Sequence, residues 1–178
     1  KDLETFDFNG FDICLMSAGG TVSKEWSPKI GAMGCTVIDN SSAFRLSDGV
    51  PLVVPEINPE DAFSHQGVIA SPNCSTTIAL VAVSAVNRIS PIRAMYASTY
   101  QAVSGAGAPG VTELEAQTRA AAFGCEIRPE VFRYQIIQNI IPQIGCFEGE
   151  GYTSEEMKMQ RESRKIAHLP ELLVNCTC

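Results

Sequence analysis

Residues 71–77 read Ser-Pro-Asn-Cys-Ser-Thr-Thr, with Cys74 between an apolar run closing near Ala70 and another opening at Ile78. A cysteine between a strand end and a helix start meets free backbone N–H groups and the positive end of the helix dipole, which favour a thiolate. A thiolate is the form that attacks a carbonyl carbon. The other reading of the same residues is a packed Cys74 beside a helix capped by Ser75 or Thr76. Arg45, beyond the β-branched run that ends in Asn40-Ser41-Ser42, is either an anion ligand or an ordinary surface arginine. Two glycine-rich turns, Ser17-Ala18-Gly19-Gly20 and Ser104-Gly105-Ala106-Gly107, allow a phosphate or cofactor to approach the backbone, and are weak signals alone.

Glu155, Lys158, Glu162 and Lys165 recur at intervals of three and four. Such a face is ordinarily a solvated ladder of ion pairs, and the spacing predicts that first. The alternative is a carboxylate and an ammonium on one side of a pocket, suited to a zwitterionic or phosphorylated substrate. Thiol chemistry at a carbonyl calls for a general acid or base, yet His65 and His168 are the two histidines and neither has a claim on Cys74.

The elements that must position these residues alternate. Phe11–Met16, the β-branched run from Gly34, Pro51–Pro55 and Gly67–Pro72 read as short strand-like runs, with an amphipathic helix over 21–30. Alternation of this kind predicts an α/β fold with buried, largely parallel strands, whose ligands bind beyond the carboxyl ends. Ile78–Val86 is apolar on nearly every side and predicts a buried helix. A strand over 93–103, a helix over 111–123 ending at Gly124, irregular chain over 129–152, a helix from the Thr153-Ser154-Glu155-Glu156 capping box to about Ala167, and a strand at Leu172–Val174 follow.

Composition narrows the class. The chain of 178 residues is 45% hydrophobic and 19% charged with a net charge of −7, which argues against disorder and against a nucleic-acid-binding surface. No apolar run reaches the roughly 20 residues of a membrane helix. Seven cysteines, an odd number with no Cys-x-x-Cys pair, suggest reduced thiols in a cytoplasmic setting and no metal site.

Six motifs, in order, carry a resemblance: Ser17-Ala18-Gly19-Gly20, Asp39-Asn40-Ser41-Ser42-Ala43-Phe44-Arg45, Val54-Pro55-Glu56-Ile57-Asn58, Pro72-Asn73-Cys74-Ser75-Thr76, Tyr100-Gln101-Ala102-Val103-Ser104-Gly105-Ala106-Gly107 and Glu155-Glu156-Met157-Lys158-Met159. Together they resemble the aspartate-β-semialdehyde dehydrogenase family, in its bacterial NADP-dependent form. The resemblance implies part of a Rossmann-like NADP-binding domain over 1–72, then an α+β catalytic and dimerisation domain over 73–178. It implies Cys74 as nucleophile, Asn73 as its neighbour in the substrate site, and Gln101 orienting substrate and thioester. Arg45 and Lys158 match the phosphate ligands, Glu155 the carboxylate for the substrate's amino group, and Ser17, Ala18, Gly19, Gly20, Asn40, Ser104 and Gly105 the contacts to NADP. The implied reaction links aspartyl phosphate and aspartate semialdehyde, in a homodimer or homotetramer without nucleic-acid or membrane partners.

The family's glycine-rich opening turn and its general acid/base histidine have no match here, so the resemblance implies a piece of a longer chain, inactive as these residues alone. Another phosphorylating aldehyde dehydrogenase, such as N-acetyl-γ-glutamyl-phosphate reductase or glyceraldehyde-3-phosphate dehydrogenase, is the nearest alternative. A non-catalytic self-associating module, using the apolar 138–144 segment, is a second.

Overall fold

The apolar runs of the first third form three short strands in the computed structural model, which describes residues 2–178. These are β1 (Ile13–Met16), β2 (Thr36–Asp39) and β3 (Val68–Ala70), parallel and in the order β1-β2-β3. The register sets Met16 opposite Asp39 and Asp39 opposite Ala70, so the three carboxyl ends are level. Parallel neighbours require a crossover, and between β1 and β2 it is α1 (Gly20–Ala32), which buries Ser23, Ser27 and Ile30 at helical spacing. A Cβ on Gly31 would stand 3.0 Å from the Gly67 carbonyl oxygen, and one on Gly67 2.9 Å from the Gly31 Cα. The helix and the entry to β3 therefore meet backbone to backbone, which only glycine allows.

The chain divides into two units, Lys1–Ala97 with Met157–Asn175, and Ser98–Glu156 with Cys176–Cys178. In the first, Phe8, Met16, Ile30, Cys35, Val37 and Val68 form one core cluster, and Leu52, Val54, Ala70, Leu80 and Ile166 another. The run over 51–55 contributes a single parallel bridge, Leu52 to Ala70, rather than a strand.

Helix α2 (Cys74–Asn87) corrects the expectation of a helix buried on every side: Leu80 is covered, but Ile78 is 74% and Val86 55% exposed. An all-round apolar helix fixes no preferred face, and the first unit packs only the face that carries Leu80.

In the second unit, α3 (Ala108–Ala122) opens three residues earlier than expected, with Pro109 in its first turn and Gly124 in the left-handed region just past its end. Its buried Glu113 and Gln117 serve the irregular segment that follows. Glu113 Oε2 accepts the N–H groups of Glu130, Val131 and Phe132, and Gln117 Oε1 those of Ile136 and Ile137. Chain without ladder partners thereby satisfies its donors from two side chains one helical turn apart.

The expected strand over 93–103 is shorter, β4 (Ala94–Ser98), and it pairs with β5 (Leu173–Thr177). Helix α4 (Ser154–Ile166) starts at the capping box: the Thr153 N–H donates to Glu156 Oε2 at 2.6 Å, and the Glu156 N–H to Thr153 Oγ1 at 3.4 Å. His168 lies beyond that helix with φ of 54°, and its Nε2 is 3.0 Å from Asp61.

Candidate active site

Every strand of the first unit's sheet runs out into a motif residue. Ser17 follows β1, Asn40 follows β2 and Ser71 follows β3, all beyond level carboxyl ends where α/β sheets take their ligands. The turn Ser17-Ala18-Gly19-Gly20 leads into α1 with Gly19 at φ of 87°, and no side chain caps that helix. Its first N–H groups are therefore donors available to an anion.

Asn40 is held beside this turn, its N–H donating to the Met16 carbonyl at 2.9 Å. Asp39, wholly buried, fixes the pair: its carboxylate accepts Ser23 Oγ at 2.7 Å, Ser41 Oγ at 3.0 Å and the Ser41 N–H at 2.8 Å. Gly20, Thr21, Lys24, Glu25, Ser42 and Ala43 line an open recess of about 650 Å³. Uncapped helix N–H groups, a lysine and small residues form a donor set that suits the anionic part of a dinucleotide.

Cys74 is the first residue of α2 and is exposed. Asn73 caps the helix, its Oδ1 accepting the N–H of Ser75 at 3.0 Å and of Thr76 at 3.3 Å. The Asn73 N–H in turn donates to Glu162 Oε2 at 2.7 Å, and Arg45 Nη1 donates to Glu162 Oε1 at 3.3 Å. Arg45, itself buried, also donates from Nε to the Ser71 carbonyl at 2.8 Å and from Nη2 to the Asn40 carbonyl at 3.3 Å.

One carboxylate thus joins the candidate anion ligand to the residue preceding the candidate nucleophile. Burial pushes the Glu162 carboxyl above its ordinary value, while the Asn73 N–H, Arg45 and Lys158 pull it back. Lys158 stands one turn before Glu162, close enough to act on it electrostatically.

The charged face of α4 is therefore not a solvated ladder: Glu155 is 5% and Glu162 1% exposed. Their partners are distant in sequence, which periodicity alone does not display. Lys165 is bound as firmly, its Nζ donating to the carbonyls of Arg45 at 2.9 Å, Ser47 at 3.1 Å and Val50 at 2.9 Å. Burial lowers its ammonium below the ordinary lysine value, against Asp48 and Asp61.

In the second unit, Gln101 Nε2 donates to Glu155 Oε1 at 3.2 Å, and Gln101 Oε1 accepts Thr99 Oγ1 at 2.8 Å. The two predicted substrate residues of this unit are thus hydrogen-bonded to each other. Ser104 and Gly105 are exposed on a single 3-10 turn, Val103–Ala106, five residues past the end of β4.

Glu162, Asp39 and Lys165 were not expected as members of the site. Glu162 and Lys165 were visible as repeats of the Glu155 and Lys158 spacing; Asp39, inside a motif, gave no signal of its own. Among the described residues no group of three or more His, Cys, Asp or Glu is arranged to hold a metal ion, and no helix is long and apolar enough to cross a membrane.

Comparison with known proteins adds identity to geometry. Residues 1–65 match the model for the semialdehyde dehydrogenase NAD binding domain, and residues 84–178 that for the semialdehyde dehydrogenase dimerisation domain. Aspartate-semialdehyde dehydrogenase of Aquifex aeolicus is 49% identical over 174 residues, covering 96% of this chain and 51% of the relative. That of Bacillus subtilis is 47% identical over 178 residues, with the same coverage on each side. The crystal structure of aspartate semialdehyde dehydrogenase II from Vibrio cholerae superposes with a TM-score of 0.97 at 44% identity, covering 100% of this chain and 54% of that one. The same Vibrio enzyme complexed with ASA gives a TM-score of 0.97 at 43% identity. The chain spans about half the length of the curated relatives it matches.

Proposed function

The chain belongs to the semialdehyde dehydrogenase family, and on that premise we propose that it acts in the NADPH-dependent conversion of L-aspartyl 4-phosphate to L-aspartate 4-semialdehyde, through a thioester on Cys74. The observation that carries the reading is an exposed Cys74 at the start of α2, with the Arg45 guanidinium tied through Glu162 to the N–H of Asn73, the residue before it. A nucleophile and an anion ligand on one rigid frame are what an acyl phosphate requires. That a relative at 43% identity has been solved with ASA supports the choice of substrate.

The Cys74 sulfur attacks the acyl carbon, a C–S bond forms, and the C–O bond to phosphate breaks. The leaving phosphate takes up one proton and is held by Arg45 and Lys158. NADPH, when bound, supplies the hydride that turns the thioester into the aldehyde and frees the sulfur. Ser17, Ala18, Gly19, Gly20 and Asn40 of the first unit, and Ser104 and Gly105 of the second, are the proposed cofactor contacts. NADP rather than NAD rests on the likeness to the bacterial branch. Gln101 orients the acyl group and Glu155 receives the substrate ammonium. Division into a cofactor segment over 1–72 and a catalytic and dimerisation segment over 73–178, assembly as a homodimer or homotetramer, and residence in the reducing cytoplasm belong to the same reading; the dimerisation-domain match and seven free cysteines support it.

The test is phosphate-dependent reduction of NADP⁺ with aspartate semialdehyde by the full-length protein, run beside Cys74→Ser and with NAD⁺ in place of NADP⁺. Turnover that vanishes in the serine variant, since a hydroxyl there has no thiolate to offer, is the expected result. Undiminished turnover by Cys74→Ser rejects the thioester.

A further inference from the structure

We infer that Glu162 is a positioning residue, which sets the Arg45 guanidinium and the Pro72–Asn73 peptide in one geometry and so couples phosphate binding to the nucleophile's turn. The inference rests on the proposed roles of Cys74 and Arg45. The two carboxylate oxygens of Glu162 are engaged by Arg45 Nη1 and the Asn73 N–H.

The argument begins with the guanidinium's donors. Arginine has five N–H groups in a fixed fork. Three of them are spent inside the protein, on Ser71, Asn40 and Glu162, which leaves one on each terminal nitrogen. A fork with one free donor on each tip can grip an oxyanion by two oxygens, provided the plane of the fork is fixed. The two backbone carbonyls hold Nε and Nη2, and Glu162 Oε1 holds Nη1.

The second oxygen of the same carboxylate holds the Asn73 N–H, and Asn73 Oδ1 caps the helix that begins at Cys74. Two rigid pieces, a guanidinium and a helix start, are thus referred to one buried carboxylate. A buried carboxylate is costly to keep. This one also carries a negative charge close to a proposed phosphate ligand, which weakens anion binding in itself. A residue that served only to help bind anions would not be a carboxylate; one that must satisfy a cation and an amide N–H at once has to accept two hydrogen bonds, as a carboxylate does.

Two variants separate geometry from charge. Glu162→Asp keeps the charge but, one methylene shorter, cannot reach both donors. Glu162→Gln keeps the length but turns one acceptor into a donor. The measurement is the rate at which iodoacetamide alkylates Cys74, followed by peptide mass spectrometry in rising inorganic phosphate at constant ionic strength, with chloride as the balancing anion. Wild type is expected to be protected by phosphate, and both variants to need roughly tenfold more phosphate or above for half-protection. In the full-length protein, KM for phosphate should rise in parallel while KM for NADP⁺ stays put, a split that a general loss of fold would not produce.

Unchanged half-protection in Glu162→Asp with tighter protection in Glu162→Gln would mean that charge alone acts, and would overturn the inference. Equal protection in all three proteins would overturn it as well. Absence of phosphate protection in wild type would overturn the reading of Arg45 beneath it. Should Glu162→Gln fail to fold, the aspartate variant carries the test by itself, a normal half-protection there being the negative result.

Discussion

Glu162 has a further consequence at the scale of the single residue, because its folded-state acidity differs from that of the unfolded chain. Burial raises its carboxyl above the ordinary carboxylate range, the opposing pull of Asn73, Arg45 and Lys158 notwithstanding. An acid whose folded value lies above its unfolded one contributes stability that is complete below the unfolded value and is lost as pH rises through the folded one. The stability difference between wild type and Glu162→Gln should therefore shrink as pH rises above the ordinary carboxylate range, as urea denaturation would register. A gap that widens over that rise would show the ion pair with Arg45 outweighing burial. Cys74, Arg45 and Lys158 stand out as candidates in the sequence because their motifs are local. Glu162 was not, since what distinguishes it from a solvated glutamate is contact with residues 89 and 117 positions away.

At the scale of the element, α4 does more than carry side chains to a site. Its Lys165 draws three carbonyls of the 45–50 segment onto one ammonium, and so fixes the backbone of Arg45 while Glu162, one turn earlier, fixes its side chain. Lys165→Met keeps the stem and removes the donor, leaving three carbonyls to find water. Charge-assisted hydrogen bonds are individually worth about 1.5–3 kcal/mol, and relief of the ammonium's burial offsets part of that, so a loss near 2 kcal/mol in urea denaturation is expected. No measurable change would mean the segment keeps its shape unaided.

Elements of this kind were readable to different degrees. The capping box and the β-branched runs announced α4, β2 and β3 because a helix start and a pleated run depend on near neighbours. The partly bare α2 and the clamp of Glu113 and Gln117 on the irregular segment were not, because which face of an element is covered is decided by chain that is distant in sequence.

For the whole molecule, the cysteines offer the broadest test, since all seven are free and they sample every depth of the fold. Cys74, Cys125 and Cys146 are exposed, Cys14 is half-buried, and Cys35, Cys176 and Cys178 are buried. Cys176 in β5 and Cys178 just past its end flank the exposed Thr177 and face the same way, their sulfurs 3.2 Å apart. Burial first, then Cys178 and the carboxylates of Glu156 and Glu155, push the Cys176 thiol up to about 12. At pH 8 a thiol of that acidity is ionised to about one part in ten thousand, and the thiolate is the reacting form. A short pulse of iodoacetamide on the native protein should thus label Cys74, Cys125 and Cys146, reach Cys14 more slowly, and leave Cys35, Cys176 and Cys178 to react only as the chain unfolds. The same pulse in denaturant should label all seven. Peptide mapping of the two samples decides the matter: prompt native labelling of Cys176 would mean that β5 opens on its own while the rest of the chain stays folded.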